Sequence, residues 1–271
     1  MIHCQGYHTM VAPIAMLAAY QSGTPYVVTF HSGGHPSRVR NALRGVQRWM
    51  LRPLLARAQK LIGVSPFETE FFQKHLRQPS DRFETISNGS YLPKPTNSRA
   101  VSHGTLIVSV GRLERYKGHH RTIMALPEVV EQYPDVRLRI IGAGPYELEL
   151  RQLAKRIGMA QRVNIGPVAT TERSQMASIL SDAKLAILLS DYEAQGIAIL
   201  EALSLGIPAL VTHTSGLADL AKGGLVRSVP LNSSSPTIAS AILEQLQRPL
   251  IAANMQLPSW DHCTAKLLQL Y

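Results

Sequence analysis

The sequence predicts an α/β protein built from two doubly wound domains with parallel sheets, the first of them incomplete. Three observations carry this expectation. Short β-branched or apolar runs alternate with amphipathic segments along most of the chain. The connections between them are short, which in such an alternation implies right-handed βαβ units with helices on both faces of the sheet. A polar stretch with two prolines, residues 91–103, divides the pattern into two blocks and reads as a linker.

In the first block, strands are expected at 2–4, 26–30, 61–64 and 83–86, with helices between them. Four strands make a thin doubly wound sheet, and no strand, glycine loop and helix stand ahead of the first strand. The start of this domain is therefore expected to be missing. The second block predicts strands at 106–110, 137–142, 163–165, 185–189, 209–212 and 225–226. Helices are expected at about 119–132, 146–157, 172–181, 198–205, 216–222 and 236–248, the last stopped by Pro249. A final helix opens after Ser259, a suitable N-cap, and carries Leu267, Leu268 and Tyr271 on one face. That face is expected to cross back onto the first domain. The domains are thus 1–95 with 258–271, and 104–250.

Composition bounds the function. Hydrophobic residues are 45% and charged residues 17% of the chain, which suits a globular protein and excludes disorder. Apolar runs stop well short of the ~18 residues a membrane span needs, and no signal peptide is expected. Cys4 and Cys263 are expected as free thiols in a reducing compartment. The net charge of +10 is concentrated early: residues 1–100 carry 12 Lys and Arg against 4 Asp and Glu. Residues 37–60 hold seven of these cations and no acidic residue, with Arg40, Arg44, Arg48 and Arg52 on one helical stripe and Val39, Leu43, Val46 and Met50 on another. Two readings stay open here: a surface helix whose apolar stripe packs on the sheet, or a basic amphipathic helix lying on an anionic membrane. No aromatic platform or recognised module accompanies the charge, so nucleic acid is not an expected partner.

Two loops carry chemistry. In Val110-Gly111-Arg112-Leu113-Glu114-Arg115-Tyr116-Lys117-Gly118, a buried strand ends at Gly111 and a helix begins after Gly118. Ligands of open α/β sheets bind at that edge, and Arg112 and Lys117 on one short loop suit a diphosphate. In Asp191-Tyr192-Glu193-Ala194-Gln195-Gly196-Ile197, Gly196 allows close backbone approach, and the helix start near Ile197 offers free N–H groups to a phosphate. Glu201 follows one turn later among Ile199, Leu200, Ala202 and Leu203, where a carboxylate needs a polar partner such as vicinal hydroxyls. His31 and His35 lie near one another without acidic or cysteine neighbours, so no metal site is expected.

These loops, with the Glu-x7-Glu pair Glu193 and Glu201, Gly206-Ile207-Pro208, Val64-Ser65, Ile86-Ser87-Asn88-Gly89 and the Trp260-Asp261 helix, resemble the retaining family-4 glycosyltransferases of the GT-B fold. The likeness covers almost the whole chain. It implies two Rossmann-like domains facing a cleft, a UDP- or GDP-sugar donor and no metal. It implies that Arg112 and Lys117 neutralise the diphosphate, that Glu201 binds the ribose, and that the backbone at Gln195, Gly196 and Ile197 meets sugar and phosphate. Val168, in Gly166-Pro167-Val168, would sit by the nucleobase, and Glu193 and His31 by the transferred sugar. Ala194-Gln195 replaces the family's commoner Gly-Phe, and its first strand and glycine-rich loop have no counterpart here. The implied activity is retaining transfer of a hexose to an acceptor hydroxyl, on a saccharide or lipid-linked saccharide, in polysaccharide or glycolipid synthesis. The expected location is the cytoplasm, with peripheral contact at the inner membrane face if the basic helix binds lipid. A catalytically inactive nucleotide-sugar-binding remnant and a GT-B sugar-nucleotide epimerase are the alternatives.

Overall fold

The computed structural model describes residues 1–31, 38–93, 104–169, 171–251 and 256–271, with side chains of the long helix near residue 50 described from residue 43 onward. The chain forms two compact units. One is Met1–Gly89 with Glu193–Gln195 and Pro258–Tyr271; the other is Ser90–Tyr192 with Gly196–Leu257.

The first unit has a parallel sheet of β1 (Ile2–Gln5), β2 (Tyr26–Thr29), β3 (Leu61–Gly63) and β4 (Phe83–Thr85), in that order. Helices α1 (Val11–Gln21), α2 (Arg38–Leu55) and α3 (Pro66–Leu76) make the crossovers. The start of α3 is fixed locally: Ser65 Oγ accepts from Glu68 N–H at 3.2 Å, and the buried Glu68 carboxylate accepts from Val64 N–H at 2.9 Å. This reciprocal capping, with Pro66 in the first turn, leaves few orphan amides. One core cluster centres on Phe30 stacked on Phe72, with Tyr7 edge-on to both.

The structure shows which face of α2 turns inward. Leu51, Leu54 and Leu55 enter the core, whereas Leu43, Val46, Trp49 and Met50 are exposed. The half-buried face carries Arg44 and Arg48 instead, the latter's guanidinium 5.2 Å above the Phe71 ring. The apolar stripe therefore faces out rather than onto the sheet, because arginine stems and a cation–π contact cover the aromatic surface that aliphatic groups would have covered. Val39 and Arg40 lie outside the described side chains.

The second unit runs β5 (Leu106–Val110), α4 (His119–Gln132), β6 (Arg137–Ile141), α5 (Glu147–Arg156), β7 (Val163–Gly166), α6 (Arg173–Ser181) and β8 (Leu185–Leu188). It continues through α7 (Ile197–Ser204), β9 (Ala209–Thr212), α8 (Ser215–Lys222), β10 (Arg227–Val229) and α9 (Ser235–Gln247). All six strands are parallel in the order β10-β9-β8-β5-β6-β7. Successive strand residues feed opposite faces: Ile107, Leu185, Ile187 and Leu210 pack with α4, α5 and α9, while Val108, Ala186, Leu188 and Val211 pack with α6, α7 and α8. This two-sided burial is why the strands read as continuous apolar runs.

The last strand corrects the expected 225–226. Leu225 N–H instead closes the end of α8 on Leu220 O, Leu225 and Val226 pack under that helix, and pairing with β9 starts at Arg227. An edge strand tolerates the charge that a central one would not. Of the expected linker, Leu92 is buried in the second unit, and residues 94–103 lie outside the described residues.

The chain ends in α10 (Trp260–Leu270), which belongs to the first unit. Ser259 caps it by accepting from His262 N–H at 3.1 Å, and Cys263 packs with Val27, Ile62 and Ile86. The fit is close at Gly89, where a Cβ would lie 2.2 Å from Trp260 N. Cys4 and Cys263 are free thiols in separate core clusters. Among the described residues, no helix is long and apolar enough to cross a membrane.

Candidate functional site

The strand order of the second unit locates a crevice. From β5 the chain moves outward through β6 and β7, then returns to the other side of β5 as β8. The loops after β5 and β8 therefore diverge at the carboxyl edge, the switch point where α/β sheets bind ligands. The sheet of the first unit has no such reversal among the described residues.

These two loops hold one another. Asp191 N–H donates to Tyr116 O at 2.7 Å, and Arg121 donates to Leu189 O at 3.2 Å and pairs with Asp191 at 2.7 Å. Gly118, at φ 74°, packs so tightly that a Cβ would lie 1.9 Å from Leu189 O. The structure thus brings the cationic loop against the segment leading to α7.

Within the cationic loop, Arg112 pairs with Glu114 at 2.7 Å and donates to the Tyr116 hydroxyl. Arg112 and Lys117 lie 5.9 Å and 5.4 Å from the centre of the Tyr116 ring, so both cations gather on one aromatic group. The ring holds them together while leaving Arg112 exposed to a ligand.

Beneath the loop lies His119, a residue that the sequence reading did not select. It is fully buried; Nε2–H donates to Arg112 O at 3.3 Å, and Nδ1 accepts from the Ser109 hydroxyl at 2.9 Å. That tautomer pins the carbonyl next to the Arg112 side chain. Burial, with smaller charge effects from Lys117 and His120, pushes the ring down to about 4 against an ordinary 6.5. The only signal in the sequence was His119-His120 directly after Lys117-Gly118.

A pH dependence follows. The unfolded chain protonates His119 near 6.5 and the folded chain only near 4, so below pH 6.5 protons bind preferentially to the unfolded state. Stability present above that pH should fall between 6.5 and 4 by about 1.4 kcal/mol per pH unit for this group. His8 and His120 are also pushed to about 4, chiefly by burial, and add to the slope. Urea midpoints over this range should show a shallower slope in His119→Asn than in the wild type; equal slopes would remove His119 from the account.

The second loop delivers Gly196 as N-cap of α7, where a Cβ would meet the Leu217 side chain at 2.7 Å. The first turn of α7 closes on Gly196 O through Ile199 and Leu200, so the Ile197 amide at its tip has no partner within the helix. Glu201, one turn on, is buried, and its carboxylate is paired with Arg173, which also donates to Tyr91 O at 2.7 Å. The polar partner that its apolar surroundings require is therefore an arginine 28 residues upstream, invisible to local spacing. Val168 lies just beyond β7 and packs against the α6–α7–α8 core cluster.

The remaining candidates belong to the first unit. Asn88 N–H and side-chain amide both donate to Gln195 Oε1 at 3.0 Å and 2.8 Å, and Gln195 Nε2 donates back to Asn88 O at 3.0 Å. Glu193 belongs to the same unit. His31 follows β2 and bonds to Gln5 at 2.6 Å; His35 lies outside the described residues.

Comparison with known proteins gives this arrangement a lineage. A GDP-mannose-dependent alpha-(1-6)-phosphatidylinositol monomannoside mannosyltransferase of Mycolicibacterium smegmatis is 26% identical over 230 residues, which cover 76% of this chain and 60% of that protein. The chain thus spans about three fifths of that relative's length. The alpha-D-kanosaminyltransferase of Streptomyces kanamyceticus is 23% identical over 93% of this chain and 69% of its own length. Among solved structures, Anabaena Alr3699/HepE in complex with UDP superposes with a TM-score of 0.80 at 20% identity, covering 96% of this chain and 76% of that one. The family model for Glycosyltransferase Family 4 matches residues 1–90, and that for glycosyl transferases group 1 matches residues 95–255. The second match takes in more than half of the chain, including both loops of the crevice, and the chain belongs to the glycosyl transferases group 1 family, with the two-sheet parallel architecture of the GT-B fold.

Proposed function

We propose that this chain carries the donor-binding machinery of a retaining glycosyltransferase, which moves a hexose from a nucleoside diphosphate sugar to an acceptor hydroxyl. The observation that carries the reading is the meeting of Arg112 and Lys117 with the segment leading to α7 at the β5–β8 switch point. In this reading the two cations and the α7 N-terminus hold the diphosphate. Glu201 takes the ribose, turned toward it by Arg173. Val168 lies by the base: β7 is two strands from β5, about 10 Å at ordinary strand spacing, a distance suited to a nucleoside. Glu193 and His31 are the proposed contacts to the sugar, with the backbone at Gln195, Gly196 and Ile197.

As the glycosidic bond breaks, negative charge grows on the leaving diphosphate, and preorganised cations stabilise that charge most strongly in the transition state. The diphosphate then helps to take the acceptor proton on the face it leaves, which gives retention. Relatives named for GDP-mannose and for UDP complexes make both bases reasonable first probes. The anomeric configuration of the product, read by NMR, tests retention; an inverted product would contradict it.

The acceptor is proposed to be a saccharide, free or lipid-linked, met at an anionic membrane surface. What supports the membrane surface is the outward stripe of α2, Leu43, Val46, Trp49 and Met50 with Arg52, alongside exposed Met10 and, in α1, Val11, Ile14 and Leu17. Sedimentation with vesicles should show binding to those containing acidic lipid, weakened by salt and by Trp49→Ser. Equal binding to neutral vesicles, or none, would contradict it.

A further inference from the structure

At the carboxyl ends of β1 and β2, a chain of hydrogen bonds runs from His31 into side chains that the proposed chemistry has not used. His31 Nε2 lies 2.6 Å from Gln5 Oε1, and Gln5 Nε2 lies 3.2 Å from His3 Nε2. His3 Nε2 is also 2.7 Å from the Thr29 hydroxyl, and His3 Nδ1 is 2.6 Å from the hydroxyl of Tyr271. Tyr271 further packs edge-on against the His3 ring at 5.8 Å between centroids. His3, Gln5, Thr29, His31, Asn88 and Trp260 line one cavity of about 310 Å³.

Donor and acceptor accounting fixes this chain in one direction. An amide oxygen only accepts and an amide nitrogen only donates. The Gln5 amide sets its oxygen 2.6 Å from His31 Nε2 and its nitrogen 3.2 Å from His3 Nε2. Oxygen facing His31 requires a proton on His31 Nε2. Nitrogen facing His3 requires a lone pair on His3 Nε2, shared by the Gln5 N–H and the Thr29 hydroxyl; His3 Nδ1–H then donates to the Tyr271 hydroxyl. A reversed amide would give both rings the opposite tautomer.

We propose that Gln5 is a positioning residue that holds His31 with Nε2 protonated and Nδ1 bearing the lone pair, and that His3 and Tyr271 secure Gln5 in turn. Burial lowers both rings below the ordinary 6.5, His3 further by the charge of His31, which keeps them neutral as the network requires. An acceptor at Nδ1 receives a hydrogen bond from a sugar hydroxyl and offers none to a phosphate oxygen. Resting on the reading of His31 as a sugar contact, this makes it a hydroxyl-recognising group, leaving diphosphate charge to Arg112 and Lys117.

The test begins with ring nitrogen NMR on the whole chain labelled with ¹⁵N-histidine, the His31 signals being assigned by their loss in His31→Gln. At pH 7.5 the wild type should show His31 as the Nε2–H tautomer and His3 as the Nδ1–H tautomer. Gln5→Met should leave His31 averaging between tautomers, whereas Gln5→Glu, which retains an acceptor oxygen, should keep Nε2–H and raise the His31 pKa. Nδ1–H on His31 in the wild type, or an unchanged single tautomer in Gln5→Met, would overturn the proposal. This readout stands whether or not the chain transfers sugar. In turnover, Gln5→Met should lose roughly 10- to 100-fold in kcat with donor KM within about twofold, and Gln5→Glu should recover most of it. Wild-type kcat in Gln5→Met would overturn the positioning role while leaving the donor site intact.

Discussion

Arg112→Ala is expected to lower kcat by roughly 100- to 1000-fold, and Lys117→Ala by a similar factor, the scale seen when one preorganised stabiliser of developing charge is removed. The expectation rests on where the charges stand. Arg112 is exposed to a ligand yet not loose, since Glu114, the Tyr116 hydroxyl and the carbonyl pinned by His119 fix its base and direction. A cation held in this way needs little reorganisation as charge builds on the diphosphate. Arg112→Lys should recover only part of the loss, because an ammonium cannot donate in a fork to two phosphate oxygens. Steady-state kinetics with a UDP- or GDP-sugar reads both effects. Full activity in Arg112→Ala would remove it from the mechanism.

The second large effect is structural. Gly118→Ala should destabilise the chain by more than about 3 kcal/mol, because left-handed strain and a severe clash act together. The added Cβ would lie 1.9 Å from Leu189 O, a backbone atom that cannot swing away, at a residue with φ 74°. Gly158 is the control: its φ is 75° and nothing lies within 4 Å of its Cβ position. Gly158→Ala should therefore cost only about 1–2 kcal/mol, the conformational part alone. Urea unfolding of the two variants compares them, and equal losses would show that the close approach of the β5 and β8 loops is not the source. Because Gly118 joins the cationic loop to α4, its replacement should weaken donor binding as well.

Much of this was legible in the sequence for definite physical reasons. The strands of the second unit are buried on both faces, so Leu185–Leu188 and Ala209–Thr212 stood out as apolar runs, and short loops forced a parallel order. Ser259 could be read as a cap because capping is local. What was not legible depends on residues far apart in the chain. Arg173 meets Glu201 across 28 positions, and Asn88 meets Gln195 across 107. His119 gave little sign that it would lie under Arg112, since two histidines after a glycine have no periodic signature. The inward face of α2 stayed open because its stripes allow two rotations, and the tertiary position of Phe71 selects the arginine side. The strand near residue 226 slipped by two residues because apolar content marks burial, whereas the ladder with β9 decides strand.

The central claim is that the second unit grips a nucleoside diphosphate sugar through Arg112 and Lys117. Isothermal calorimetry of the 271-residue chain with UDP-glucose and GDP-mannose tests it most directly, with Arg112→Ala and Lys117→Ala beside the wild type. The account predicts saturable binding of one of these donors at a single site, weakened at least about tenfold in each variant, as the loss of a charge-assisted contact requires. Donor binding of undiminished strength in both variants, or no binding of either donor by the wild type, would contradict it.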